Sequence, residues 1–216
     1  MRRNTSSLWL LTPSSIEAEA VWQAELPVSL RVTGVGALAT LHTLWKWYWE
    51  EEPSNLTMVG LGIAGSYRKS HRIPSVVYVR EEIWGDLGRR GRRFIPASDR
   101  LRQGFPLRWR GSPPPFELPL AVGLTLHTVS ATLREARYWR RAYPEADIET
   151  QEGAAYFLFA EAVGARLYMF RVLSNRAGSR HWEREAALNL LSTFTRTHVA
   201  PLCERLLAGD YLAESG

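Results

Sequence analysis

The sequence predicts an α/β fold with helices layered on a largely parallel central sheet, and three features point to it. Strand-like apolar runs alternate with segments of helical periodicity along nearly the whole chain. Several runs end in small or hydrogen-bonding residues, at "GLGIAGS", "TLHTVSAT" and "RVLSN", as strand ends beside a ligand do. The 216 residues are 45% hydrophobic and 23% charged, enough for one substantial core, and no boundary signal divides them. One domain spanning residues 1–216 is therefore expected.

Each element has its own justification. "LWLLT" (8–12) is a short apolar run and reads as a buried first strand. "SSIEAEAVWQA" follows, with Ser14 or Ser15 as helix N-cap and carboxylates in the first turn. "VSLRVTGVG" (28–36) is a strand running into a glycine turn, and "ALATLHTLWKWYWEE" repeats apolar residues at helical spacing. "LTMVGLGIAGSY" (56–67) is a strand entering a glycine-rich turn, and "VVYVREEIWGDLG" (76–88) a strand followed by a loop. Residues 89–118 read as irregular, Arg- and Pro-rich and closing on "GSPPPFELP". "AVGLTLHTVS" is a strand, and "ATLREARYWRRAY" a helix with a solvated basic face. "IETQEGAAYFLFA" leads into a helix reaching about 163, "ARLYMFRVLSN" is a strand, and "HWEREAALNLLSTFTRTHVAPLCERLL" is a long C-terminal helix.

Composition narrows the function classes. No apolar run approaches the roughly 18 residues a membrane span needs. The single cysteine, Cys203, excludes an internal disulfide and reads as a structural thiol in a reducing cytoplasm. The histidines show no metal-ligand spacing, so no metal or other cofactor is expected. The net charge of +5 is concentrated in "RRGRRF", "RLRQGFPLRWR" and "REARYWRR". No stripe or RNA-binding signature joins these patches, so nucleic acid is not the expected partner. "GLGIAG" is one residue short of the dinucleotide-binding pattern and lacks its distal acid, which leaves tight strand-to-helix turns or close backbone approach to a ligand. Topology brings Glu17, Ala64, Gly65, Ser66, Thr128, Val129, Glu152, Ser174 and Asn175 toward one end of the sheet.

"GLGIAG", "VREEIWGDLG", "GLTLHTVS", "ETQEGAAYF" and "FRVLSNRAGSRHW" occur in the order and at the spacings of the nucleoside phosphorylase and nucleosidase superfamily. Within it the chain most resembles the futalosine hydrolase family. That resemblance, from about residue 8 to about 195, implies a three-layer αβα sandwich with a mixed, largely parallel sheet, a small-molecule nucleoside substrate and a homo-oligomer. It implies that Glu152 accepts hydrogen bonds from ribose hydroxyls and that the small residues after it, Gly153, Ala154 and Ala155, make room for the sugar or for the helix. It implies a water-activating Glu just after the first strand, Glu17 or, one register on, Glu19. Either acid also suits the first turn of a helix, as does Glu152. Gln151 replaces the family's Met under the ribose, and the remaining wall positions are Ala64, Gly65, Val129 and Ser174. Asn175 stands where adenosine-type relatives carry Asp; its amide, oriented by Ser174, can donate to N7 and to a 6-oxo group, which favours a hypoxanthine-type base. The loop after the first strand, "TPSSIEAEA", is acidic and lacks the Arg with which phosphorylases hold phosphate, so water is the expected nucleophile. His127 is expected near the purine pocket as a pocket-wall or core residue rather than a catalyst.

Overall fold

The computed structural model describes residues 7–22 and 26–209. Six of the strands meet their expected positions: β1 (Leu8–Thr12), β2 (Leu30–Val32), β3 (Thr57–Gly60), β5 (Ser75–Trp84), β9 (Leu120–Thr125) and β11 (Arg166–Arg176). Helices α1 (Ser15–Trp22) and α2 (Ala37–Glu51) follow β1 and β2; the predicted end of α1 at Gln23 and Ala24 lies outside the described residues. Ser14 precedes α1 and accepts its first-turn hydrogen bonds, Ala18 N–H on its carbonyl at 3.0 Å and Glu17 N–H on its hydroxyl at 3.3 Å. Helices α4 (Leu133–Ala142) and α5 (Gly153–Val163) also stand as expected, α4 opening on a capping box between Thr132 and Glu135.

The sheet runs β2-β1-β3-β11-β4-β10-β9-β5-β8 and is mixed but mostly parallel, where β4 is Ile63–Ser66, β8 Arg108–Arg110, β10 Ile148–Thr150 and β11 Arg166–Arg176. The sheet is closed rather than open, because β11 also pairs with β5 and joins β11-β4-β10-β9-β5 into a barrel-like ring. The cause is the length of β11. Along one edge its first residues, Arg166–Met169, pair with β3 and its last, Val172–Arg176, with β4, while Phe170–Leu173 pair antiparallel with β5 on the other edge.

Alternation along β1 assigns the two cores. Trp9 and Leu11 face a cluster with Leu44 of α2 and Phe157 and Phe159 of α5, whereas Leu10 faces Phe170, Leu191, Phe194 and Leu202. The C-terminal helix is α6 (Arg184–Phe194), a π-helical stretch Thr195–Val199 and α7 (Ala200–Leu207), with Cys203 buried. In the aromatic run of α2, Trp45 and Tyr48 pack on Phe159 and Trp47 on Trp9, leaving Trp49 exposed.

Two expectations change. "GLGIAG" is no strand-to-helix turn: the chain passes from β3 to β4, changing partner strands. The segment 89–118 is more ordered than expected, with a hairpin of β6 (Gly88–Arg90) and β7 (Phe94–Pro96), a turn of helix α3 (Asp99–Arg102), and β8, whose exposed Arg108 and Arg110 flank a buried Trp109. No helix among the described residues is long and apolar enough to cross a membrane.

Candidate active site

A cavity of about 540 Å³ opens beyond the carboxyl ends of β1, β10 and β11. Glu17, Ala64, Gly65, Val129, Gln151, Glu152, Ser174 and Asn175 all line it, brought together from five separate segments. Glu19 is exposed and does not, while Glu17 is buried and does, so the α1 register points Glu17 inward. Ser66 turns away to bond His71 Nδ1 at 2.8 Å, and Thr128 is not a lining residue. His127 is not one either; it pairs with Asp86 at 3.0 Å beside Trp84, and its carbonyl accepts from Gln151 Nε2 at 3.1 Å.

Glu152 is 6% exposed, which rules out a solvated first-turn acid. It stands at the N-cap of α5, but Thr125 Oγ1 caps the helix instead, accepting from Ala154 N–H at 2.7 Å. The Glu152 carboxylate turns toward α2, where Gly36 N–H donates to Oε1 at 2.8 Å. Gly36 holds φ at 88°, open only to glycine at low cost, so it delivers a backbone donor in front of α2. Burial raises the Glu152 pKa, opposed by the charge of Arg171 and by the Gly36 bond.

Glu17 is held by the Ser14 hydroxyl on Oε2 and by Ile63 N–H on Oε1 at 2.9 Å. Burial raises its pKa as well, against these bonds and Arg171. The glycine between β3 and β4 has its reason here. A Cβ on Gly62 would come within 3.0 Å of Glu17 Oε1 and 3.3 Å of Arg171 Nη1, so close approach to the site, rather than a turn, requires it.

Asn175 sits where the β11 register shifts, opposite Gly65. Ser174 Oγ donates to Asn175 Oδ1 at 3.1 Å, which orients the amide as expected. One N–H of that amide already donates to the Arg176 carbonyl at 2.9 Å. A single N–H of the amide therefore remains for the cavity, so the expected pair of donors, one to N7 and one to a 6-oxo group, is reduced to one.

Arg171, Glu82 and Glu149 were not legible as site residues. Arg171 is 1% exposed, donates to the Phe170 carbonyl at 3.1 Å, and supplies positive charge to Glu17, Glu152 and Glu82. Its signal was an arginine inside the apolar strand "LYMFRVL", since a buried cation needs an electrostatic reason. Glu82 is fully buried, its Oε1 accepting from Thr125 and Thr150 hydroxyls at 2.8 Å each. Burial pushes its carboxyl up to about 7. Its bulk also corrects the reading of Gly153: a Cβ there would lie 2.3 Å from the Glu82 carboxyl carbon, so the glycine makes room for a second carboxylate and not for a sugar. Glu149 lines the cavity, tied to Tyr67 Oη and to Ser130 through N–H at 2.7 Å and Oγ at 2.6 Å. Two buried carboxylates, a buried cation behind them and an amide facing the same space can stabilise a developing cation on a bound sugar and hold a polar leaving group.

No protein-family model matches the chain. It is 35% identical over 156 residues, 64% of its own length and 67% of the relative's, to futalosine hydrolase of Thermus thermophilus. Its fold is similar to that of 5′-methylthioadenosine/S-adenosylhomocysteine nucleosidase from Campylobacter jejuni, with a TM-score of 0.73, 14% identity and coverage of 93% and 99% of the two chains. The Neisseria meningitidis nucleosidase in complex with methylthio-immucillin-A is similar too, with a TM-score of 0.71 at 14% identity, over 92% of this chain and 99% of that one.

Proposed function

We propose, from the premise that this chain belongs to the futalosine hydrolase family of N-glycosyl hydrolases, that it cleaves the N-ribosyl bond of a 6-oxopurine nucleoside. The substrate is futalosine, split to hypoxanthine and dehypoxanthine futalosine in menaquinone biosynthesis by a cytoplasmic, single-domain homo-oligomer. One observation supports this above the others: the Glu17 and Glu152 carboxylates and the Asn175 amide line a single nucleoside-sized cavity.

The roles follow from the chemistry. Breaking the bond leaves an oxocarbenium-like sugar, whose positive charge is stabilised by nearby anions. Glu152, steadied at Oε1 by Gly36, accepts from the ribose hydroxyls in charge-assisted bonds. Glu17, whose burial makes it a stronger base than an ordinary carboxylate, takes a proton from the attacking water. Arg171 behind both carboxylates lowers their pKa values against the rise that burial causes. Asn175 donates its free N–H toward N7 and the 6-oxo oxygen of the departing base. An amide is no strong acid, so stabilisation of the leaving anion, or a proton from water, completes the departure. The acidic, arginine-free turn at Pro13–Glu17 repels phosphate, which leaves water as nucleophile.

Incubation with futalosine and with inosine, each with and without phosphate, tests the proposal by hypoxanthine release. Release from futalosine independent of phosphate is expected. Release only with phosphate overturns hydrolysis, and binding without release from either nucleoside favours a non-catalytic relative.

A further inference from the structure

The cavity changes character from floor to mouth. Its floor carries the buried carboxylates of Glu17, Glu149 and Glu152, whereas exposed Ile16, Val35, Val129 and Trp182 give its rim an apolar surface. Within that rim stands Arg180, the sole cationic side chain that lines the cavity among the described residues. It is exposed, and no hydrogen bond or ion pair holds it among those residues. Its neighbours are engaged, His181 with Glu183 at 2.7 Å and Arg184 over the Trp182 ring at 5.5 Å.

The loop presenting Arg180 is built, not loose. Ser179 N–H donates to the Arg176 carbonyl at 2.9 Å, His181 N–H to Ser179 Oγ at 3.1 Å, and Glu183 N–H to the Ser174 carbonyl at 2.9 Å. Trp182 bridges back to Asn175. Gly178, at φ 76°, lies so close to Thr132 that a Cβ would stand 2.2 Å from its carbonyl oxygen. The backbone that places the base-binding amide thus also places the guanidinium.

We propose that Arg180 is a specificity-determining residue, gripping a carboxylate at the far end of an apolar extension on the nucleoside. This rests on the nucleosidase reading above. With the ribose hydroxyls at Glu152 and the base at Asn175, C5′ is the sugar carbon left to carry a substituent toward the rim. An anion attached directly at C5′ would stand among the floor carboxylates and be repelled, so the charge belongs beyond the apolar wall. The planar guanidinium fork matches a carboxylate there.

Three substrates test it by hypoxanthine release: a hypoxanthine nucleoside with a C5′ aryl extension ending in a carboxylate, the same compound as carboxamide, and inosine 5′-monophosphate. For this exposed arginine the unaltered enzyme is expected to prefer the carboxylate to the carboxamide by about tenfold in kcat/KM, less at high salt. R180Q is expected to erase the preference, mainly through KM, R180K to restore part of it and R180E to reverse it. The monophosphate is expected to be the poorest of the three. A carboxylate-to-carboxamide ratio unchanged in R180Q and R180E, with hypoxanthine still released, overturns the Arg180 assignment and leaves the nucleosidase reading intact. Preference for the monophosphate overturns the stand-off between charge and sugar. No release from any substrate by the unaltered enzyme overturns the nucleosidase reading and this inference together.

Discussion

In the proposed reaction Glu152 takes the sugar and Asn175 the base. Glu152→Gln keeps the shape and removes the charge. Its kcat/KM for hypoxanthine release is expected to fall roughly 100- to 1000-fold, the scale of losing one preorganised transition-state contact, and full turnover would remove the residue from the mechanism. Asn175→Asp restores the acid of the adenosine-type relatives. It is expected to shift the ratio of hypoxanthine- to adenine-nucleoside cleavage toward adenine by about 10- to 100-fold, the cost of an unpaired polar group on the wrong base. A steady-state comparison of inosine with adenosine reads this directly. Ser174 acts on this contact through Asn175: its hydroxyl donates to Oδ1, which keeps the amide oxygen from turning to the base. Glu17 carries a pH dependence. Its folded pKa is raised, so the activity limb that reports the free base is expected above the ordinary carboxylate range and to vanish in Glu17→Gln.

At the scale of elements, α5 begins against a buried carboxylate. Gly153 is its first residue, and the ideal Cβ position there is already occupied by Glu82. Gly153→Ala is expected to destabilise the protein by about 1–3 kcal/mol through overpacking, measured by urea unfolding. Combining it with Glu82→Ala should cost less than the sum of the two changes, because the second removes what the first collides with. If the single variant is as stable as the parent, the account of this glycine is wrong. The β3-to-β4 passage is an element of the same kind, since its glycine admits Glu17 and Arg171 close to the backbone.

Across the whole molecule the buried carboxylates set a stability profile against pH. Glu82 titrates at about 7 when folded and near 4.5 when exposed. Below 4.5 both states carry the proton and the full stabilisation is present. As pH rises toward and through 7 the unfolded chain has already released its proton, and the folded state loses about 3 kcal/mol of relative stability from this group. Glu17 and Glu152 shift in the same direction. Urea unfolding at pH 5 and pH 8 is expected to show a smaller difference in Glu82→Gln than in the parent; an equal difference removes Glu82 as the source.

The alternation of the main strands and helices, most of the set at the strand ends and the family were legible in the linear sequence. Hydrophobic period, capping residues and strand-end composition are local quantities, and "ETQEGAAYF" and "VLSN" hold their functional groups within a few residues. Tertiary structure alone decided what depends on distant partners. Glu17 rather than Glu19 faces the cavity because α1 packs against the sheet in one rotation. Gly153 answers to Glu82, 71 residues earlier by subtraction of their numbers, and Arg171 acquires meaning only when three carboxylates from separate elements, α1, β5 and the start of α5, come within reach of its charge. The ring in the sheet was hidden for the same reason: the length of β11 can be read from its run of apolar residues, but which strands share its two edges is set by pairing across the chain. Sequence neighbours determine conformation one turn at a time, whereas the charge balance of a buried site is a sum over groups that meet only after folding.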